Sequence, residues 1–292
     1  MKAKVSIISV NYKQYAASHE FLTACRELSY PELEVILVDN ESEEEKLVSL
    51  EKDFPEVIFL ASSQNLGFAG GNNLGITKAK GDYFLFLNND TLPRANLVEN
   101  LLEGFGYQHD IGAVSPKILY LDPPGVIQFA GYTPINPFTG RNKTLGQGEK
   151  DQGQYDQAHI IPYAHGAAMM LRKEVIEKVG KMPEEFFLYY EELDWSVQIR
   201  NAGYHICFFP KASIYHHASL STGQNSPLKT YYYYRNRILF MRRNSPTGAR
   251  LIFLSYFFLI LSPVKYLLFL LRGKTAHRKA LLNALSWHFT KS

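Results

Sequence analysis

Four polar sites in this chain carry residue types that handle phosphate, metal ions and protons. Asp90 closes the run Gly81-Asp82-Tyr83-Phe84-Leu85-Phe86-Leu87-Asn88-Asn89-Asp90, where an apolar, aromatic stretch of strand length stops in two amides and a carboxylate. Such a run reads as a strand buried on both faces, and ligands of open α/β sheets bind beyond the carboxyl ends of such strands. Asp90 therefore stands where a metal or a nucleotide diphosphate would be held; the plain alternative is a polar turn after a core strand. Asp39 ends a second apolar run, Leu33-Glu34-Val35-Ile36-Leu37-Val38-Asp39. A carboxylate there can accept from a base N–H or a ribose hydroxyl, or it can cap a turn.

The third site is Glu191-Glu192-Leu193-Asp194-Trp195, which follows Phe186-Phe187-Leu188-Tyr189-Tyr190. The carboxylates emerge from an aromatic wall into the first turn of an expected helix, where the helix dipole favours anions. Trp195, Ile199 and Ala202 fall at i, i+4 and i+7 and face the core. A general base for a sugar hydroxyl is an ionised carboxylate beside a partly dry pocket, and Glu192 meets that description. The fourth site is His216-His217, after the strand-like Ser213-Ile214-Tyr215. Strand neighbours point to opposite faces, so at most one of the two is a ligand. An imidazole, Asp90 and diphosphate oxygens would form a mixed N/O shell, which suits Mn²⁺ and is tolerable for Mg²⁺.

The elements that must position these residues alternate. Strands are expected at Val5–Val10, Leu33–Asp39, Val57–Leu60 and up to Asp90. Helices are expected at Ser18–Leu28 and Glu41–Phe54. A glycine-rich loop, Asn65–Asn73, leads into a helix to Ala79. This alternation indicates βαβ units and a mainly parallel sheet flanked by helices. Tyr120–Ala158 loses periodicity and reads as a long surface insertion, with room for a short hairpin or a loop on the acceptor side of a site. Order returns with a strand at Ala164–Leu171, a helix to Val179, a helix at Glu192–Ala202 closed by Gly203, and a strand at His205–Phe209 before Pro210. Ala218–Gly223 reads as loop. The glycine run is no dinucleotide fingerprint, because G-x-G-x-x-G belongs directly after the first strand and Asn11-Tyr12-Lys13 stands there.

The chain has 292 residues, 46% of them hydrophobic, enough for one large α/β domain with extensions. Met1–Lys4 leads straight into a strand pattern, so no signal peptide is expected. Cys25 and Cys207 lack metal spacing and read as reduced core residues of a cytoplasmic protein. The net charge of +3 hides an asymmetry: no Asp or Glu follows Asp194. The C-terminal third is thus wholly basic and suits an anionic partner. A nucleic-acid binder would use that charge but would leave Asp39, Asp90 and Glu192 without purpose. A membrane surface fits better, because the basic residues flank the apolar run Leu251–Leu271. Pro263 and Lys265 interrupt that run, and a Lys near mid-bilayer costs about 2.5–3.5 kcal/mol. The expectation is a bent pair of helices lying in the interface, with Arg242, Arg243 and Arg250 before it and Arg272, Lys274, Arg278 and Lys279 after it at the headgroups.

With these residues in hand, the sequence resembles the family 2 glycosyltransferases of the GT-A fold, especially the bacterial rhamnosyltransferase-like branch. The resemblance rests on Ile8-Ser9-Val10-Asn11-Tyr12, Val38-Asp39-Asn40, Asn65-Leu66-Gly67-Phe68-Ala69-Gly70-Gly71-Asn72, Leu87-Asn88-Asn89-Asp90, Gly166-Ala167, Phe187–Asp194, Tyr215-His216-His217 and Tyr234-Arg235-Asn236, in family order over residues 4–240. It implies an α/β nucleotide-diphospho-sugar transferase fold over residues 1–230, with a membrane-associating helical region over 231–292. It implies nucleotide binding by Asn11, Asp39, Asn65, Gly67, Asn72 and Asn89, and a divalent cation, Mg²⁺ or Mn²⁺, on Asp90 and His216. Gly166, Ala167, Glu191, Asp194 and Trp195 would line the sugar sites, and Glu192 would be the catalytic base. Asn88 stands where the D-x-D element has its first acid, and Glu192 where the family usually has Asp.

The activity so implied is that of a metal-dependent, inverting hexosyltransferase. It would move rhamnose from a dTDP- or UDP-linked donor to a lipid-linked or polysaccharide acceptor at the cytoplasmic face of a bacterial membrane, in cell-wall or O-antigen synthesis. No nucleic-acid partner is expected. The rival reading is a non-catalytic sugar-nucleotide-binding scaffold with a degenerate site.

Overall fold

A computed structural model describes residues 2–217 and 226–290; the loop read at Ala218–Gly223 lies outside the described residues. The first half runs β1 (Val5–Asn11), α1 (Tyr15–Arg26), β2 (Leu33–Asn40), α2 (Glu44–Asp53), β3 (Ile58–Ser62), α3 (Gly67–Ile76) and β4 (Tyr83–Leu87). It continues through β5 (Thr91–Pro93), α4 (Leu97–Gly104), β6 (Ile111–Tyr120), β7 (Ile127–Phe129) and β8 (His159–Ile161). Then come β9 (Ala168–Arg172), α5 (Lys173–Val179), α6 (Glu191–Asn201) and β10 (His205–His216). The C-terminal helices are α7 (Pro227–Asn244), α8 (Thr247–Tyr256), α9 (Ser262–Leu271) and α10 (Thr275–Thr290).

The strands form one sheet in the order β3-β2-β1-β4-β9-β6-β10-β5, with β7 on β6 and β8 on β10. The sheet is α/β as expected, but mixed rather than mainly parallel. β3, β2, β1 and β4 run parallel; β9 enters antiparallel between β4 and β6. The βαβ alternation fixes the parallel part, while β9 arrives after a long excursion and pairs in the other direction. Wholly buried residues on both sheet faces, among them Ile7, Ile36, Leu85, Val114, Met170 and Phe208, form the main core. This is why these strands read as unbroken apolar runs.

Several expected boundaries move for physical reasons. The glycine run is not a loop but the body of α3. Glycine lets this helix lie directly on the sheet: a Cβ on Gly75 would meet Ile8 Cγ2 at 2.4 Å. β4 stops at Leu87, and Asn88–Asp90 form a turn into β5. β10 runs through Pro210 as one strand, with its register against β6 shifted between Phe209 and Ser213.

Residues 120–158 are not a surface insertion. Ile127, Phe129 and Ala130 are wholly buried. Asp151 and Asp156 both pair with the buried Lys117 ammonium, which ties the segment to β6. Leu251–Leu271 is not a bent pair of helices: α8 and α9 join through a π-turn at Phe257–Leu261 into one continuous helix. The expected boundary at residue 230 falls inside α7.

Candidate active site

β9 and β6 separate β4 from β10 in the sheet, but the turn after β4 leads into β5, which pairs antiparallel with β10 and sets Thr91 opposite His216. Asp90, one residue earlier, is thereby carried to the His216 ring: Nε2 lies 3.0 Å from Asp90 Oδ1. His216 Nδ1 lies 2.8 Å from Gln128 Oε1, so the ring is held on both sides. His217 contributes its backbone N–H to the Asp90 carbonyl at 2.9 Å, while its imidazole turns toward Glu20, 3.8 Å away. Of the two histidines, only His216 shares the site with Asp90.

Among the described residues no three His, Cys, Asp or Glu side chains gather into a metal-holding group. The Asp90 carboxylate and the His216 imidazole nevertheless border the same cleft, in contact with each other. That donor set fits a divalent cation that completes its shell from diphosphate oxygens and water.

The second half of the site is the start of α6. It is entered through Phe187, Tyr189 and Tyr190, all non-glycine residues at positive φ (63°, 68° and 76°). Such backbone is costly, of order 1–3 kcal/mol per residue, and persists only where its surroundings over-determine it. Here α7 does so. Asn236 Nδ2 donates to the carbonyls of Phe186, Leu188 and Tyr189 at 2.8, 2.7 and 2.7 Å. Arg235 Nη2 donates to the Glu185 and Phe186 carbonyls, each at 2.7 Å. The Phe68 N–H, at the start of α3, donates to the Phe187 carbonyl at 2.7 Å.

The strained turn aims Glu191 and Glu192 into the cleft. Each has a buried Oε2 with no hydrogen-bond partner. Burial pushes the Glu192 carboxyl up to about 7, against backbone N–H groups of the helix start that favour the anion. Burial also pushes the Glu191 carboxyl well above its ordinary range, and the neighbouring Glu192 charge adds to this. Burial and mutual repulsion thus favour one proton held by the pair near neutrality. A carboxylate poised near the working pH is suited to general-base catalysis.

His165 is the other titratable group in this cleft. Its Nδ1 accepts from the Ala167 N–H at 3.0 Å. Burial first, then the His216 ring, lowers its pKa to about 3. His165 is thus neutral with its proton on Nε2. Its ring stacks on Tyr132, with centroids 5.9 Å apart and planes at 14°. A histidine so placed donates rather than acts as a base.

Two adjoining clefts meet at Phe68, Asn88, Asp90 and Leu188. The first is lined by Tyr12, Asn40, Asn65, Gly67 and Asn89, and the second by Gln128, Tyr132, His165, Glu192, His216 and Lys229. Of the residues expected from sequence, Asn65, Gly67, Asn89 and Asp90 border the first. Gly166, Ala167, Glu191, Glu192, His216 and again Asp90 border the second.

Five expected site residues are not on either wall. Asp39 is wholly buried; its oxygens accept from Asn11 Nδ2 at 2.6 Å, Tyr15 Oη at 2.9 Å and Ser42 Oγ at 2.5 Å. Its neighbour Asn40 borders the cleft instead. Asn11 is also buried, and its Oδ1 collects Gln14 N, Ser18 Oγ and Asn89 Nδ2. It holds the turn that carries Asp90. Asn72 Nδ2 bonds the Phe68 carbonyl within α3. Asp194 turns to α7, with Arg243 Nε at 3.1 Å and Asn244 Nδ2 at 2.6 Å. Trp195 is wholly buried, and its Nε1 bonds the Gly180 carbonyl. Asp194 stands two positions from Glu192, and side chains two apart on a helix do not face each other.

Sequence reasoning missed Gln128, Tyr132, His165 and Lys229. The first two lie in the aperiodic segment, which carries no pattern to read. His165 stands beside Gly166-Ala167, and that adjacency was the available signal.

The family model described as glycosyl transferase family 2 matches residues 6–180. A low-salt glycan biosynthesis hexosyltransferase of Haloferax volcanii is 27% identical over 80% of this chain and 74% of its own length. An N-acetylglucosaminyl-diphospho-decaprenol L-rhamnosyltransferase of Mycobacterium tuberculosis is 21% identical over 75% of this chain and 78% of its own. Among solved structures, the mannosyltransferase of Pyrobaculum calidifontis in complex with GDP-Man and Mn²⁺ superposes with a TM-score of 0.62. That alignment covers 100% of this chain and 89% of the other at 16% identity, a likeness of fold.

Proposed function

The chain belongs to glycosyl transferase family 2, and from that premise we propose that it is a metal-dependent inverting hexosyltransferase using Glu192 as its base. The observation that carries this is Glu192 itself: a half-buried carboxylate, poised near pH 7, with Oε2 free of hydrogen-bond partners in the cleft that Asp90 and His216 border.

In this reading the nucleoside diphosphate lies along Tyr12, Asn40, Asn65 and Gly67, with its phosphates toward Asp90. Asn11 and Asp39 act from behind the wall by fixing the Asn89–Asp90 turn. Asp90 and His216 would hold Mg²⁺ or Mn²⁺, which would supply positive charge against the leaving diphosphate. Glu192 Oε2 takes the proton of an acceptor hydroxyl as that oxygen bonds to the anomeric carbon. The bond from that carbon to the diphosphate breaks on the opposite face, so the configuration inverts. Glu191 stays protonated beside the base, and neutral His165 donates from Nε2 to a sugar or phosphate oxygen.

The proposed donor is dTDP-rhamnose, and the proposed acceptor a lipid-linked saccharide at the cytoplasmic face of the membrane. The rhamnosyltransferase among the relatives supports both choices. The test is nucleoside diphosphate release from a panel of sugar nucleotides with Mg²⁺ or Mn²⁺ and a lipid-linked acceptor pool. Release with dTDP-rhamnose, lost in Asp90→Ala and Glu192→Gln, is the expected result. Release from another donor would replace rhamnose, and nucleotide binding without turnover would replace catalysis with a binding role.

A further inference from the structure

The continuous helix Thr247–Leu271 is 25 residues long and apolar enough to cross a bilayer. Its surroundings decide otherwise. Phe253, Phe257 and Leu261, at i, i+4 and i+8, form a buried stripe. They pack with Tyr234, Ile238 and Met241 of α7 and with Leu281 and Ala284 of α10. Beneath Phe257, near the middle of the helix, lies the buried guanidinium of Arg237, 5.3 Å from the ring centroid. Arg237 Nη2 in turn bonds the Thr139 carbonyl, and the adjacent Arg235 and Asn236 hold the active-site turn. A helix crossing the bilayer would carry Arg237 and this part of the catalytic domain into hydrocarbon, where unpaired charge is strongly disfavoured.

The opposite side of the helix is bare. Leu259 is 75% exposed and Leu271 74%, and Leu251, Ile252, Ile260 and Leu267 are also exposed. Phe289 of α10, 73% exposed, packs its ring on Phe258 beside them. The basic residues Arg242, Arg250, Arg272 and Lys279 stand before and after the exposed stretch in the chain, and no carboxylate side chain occurs anywhere after Asp194. An apolar face with one sign of charge around it matches an anionic lipid surface.

We infer that this helix is a monotopic anchor: it lies flat in the headgroup region of an anionic bilayer, both ends on the same side, with Leu259, Leu267 and Leu271 in the acyl boundary. α7 connects that plane rigidly to the turn bearing Glu192, so the anchor sets the height and tilt of the cleft over the lipid surface. This deepens the membrane partner proposed above and rests on that reading only for its purpose. Its test reads vesicle binding rather than turnover, so either can fail alone.

The full chain is mixed with phosphatidylcholine vesicles with and without phosphatidylglycerol and separated by flotation. Binding that needs phosphatidylglycerol is expected. Leu259→Asp with Leu267→Asp should abolish it at unchanged melting temperature. Arg272→Ala with Lys279→Ala should weaken it about 25-fold, at roughly fivefold per basic residue near the surface. Single cysteines at Thr247 and Thr275 should both react with an impermeant maleimide added outside the vesicles. Protection of one end would mean a span and overturn the inference. So would equal binding to pure phosphatidylcholine. A dimer in lipid-free solution that Leu259→Asp dissociates would overturn it too, since a second copy would then be the occupant.

Discussion

His216 Nε2 lies 3.0 Å from Asp90 Oδ1, although 126 residues separate them in the chain. The contact exists because the three-residue strand β5 returns antiparallel to β10. It joins the turn after β4 to the end of β10. This brings the two side chains into one unit, which variants of either should disturb.

Asp90→Ala should reduce nucleoside diphosphate release by 10²-fold or more. His216→Ala should act mainly by raising the Mn²⁺ concentration needed for half-maximal rate, by about 10–100-fold as for other changes in a metal's support. A metal titration of each variant checks this. Equal metal requirement in His216→Ala and the parent would remove the imidazole from the shell.

Glu192→Gln should lower kcat by about 10²–10⁴-fold, the usual contribution of a general base, with donor binding retained. Steady-state kinetics beside nucleotide titration separate the two effects.

The parent enzyme should gain activity as pH rises through about 7, where Glu192 ionises. Stability should move the other way. A carboxyl whose folded pKa is raised contributes stability fully below its ordinary value near 4.5, and this is lost as pH rises through about 7. Glu192→Gln should therefore raise the melting temperature more at pH 8 than at pH 5. An identical shift at both values would argue against the raised pKa.

Asn236→Ala removes two amide N–H donors, shared among three carbonyls of the strained turn, and the acceptor of Arg235 Nε, three hydrogen bonds in all. At about 0.5–1.5 kcal/mol each, the expected destabilisation is roughly 2–4 kcal/mol. Because Phe187, Tyr189 and Tyr190 are then free to relax, kcat should fall more than donor affinity. Chemical denaturation and kinetics on the same variant measure both.

Gly67 has φ +72°, and a Cβ there would sit 2.4 Å from the Phe187 carbonyl oxygen. Gly67→Ala should thus disturb the contact between α3 and the strained turn and cost stability, on the order of 1–3 kcal/mol. Nucleotide affinity should fall with it, since Gly67 and Phe187 border the same cleft.

The sequence by itself determined what local pattern can specify. Apolar runs of strand length fixed β1, β2 and β4, since such runs are stable only when covered on both faces. Carboxylates at the ends of those runs pointed to the side of the sheet that carries the site. The motif order from Ile8 to Asn236 indicated the family. Glu192 was legible because an acidic turn after an aromatic wall is costly without a use. The absence of acid after Asp194 likewise left the C-terminal third wholly basic, which motivates the proposed anionic surface.

Tertiary structure alone decided which polar residues face the cleft. Asp39 and Asn11 carry the same local signature as Asp90, yet they are consumed in a buried network, because Tyr15, Ser18 and Ser42 from elsewhere in the chain reach them first. Asp194 and Glu192 stand two residues apart, and the turn of the helix sends one to Arg243 and the other to the cleft. His165, Gln128 and Tyr132 join the site only through the antiparallel entry of β9 and the packing of an aperiodic segment, neither of which local periodicity encodes. The bare side of Thr247–Leu271 is likewise fixed by what covers the other side. Which face of an apolar helix remains exposed depends on its neighbours and not on its own residues.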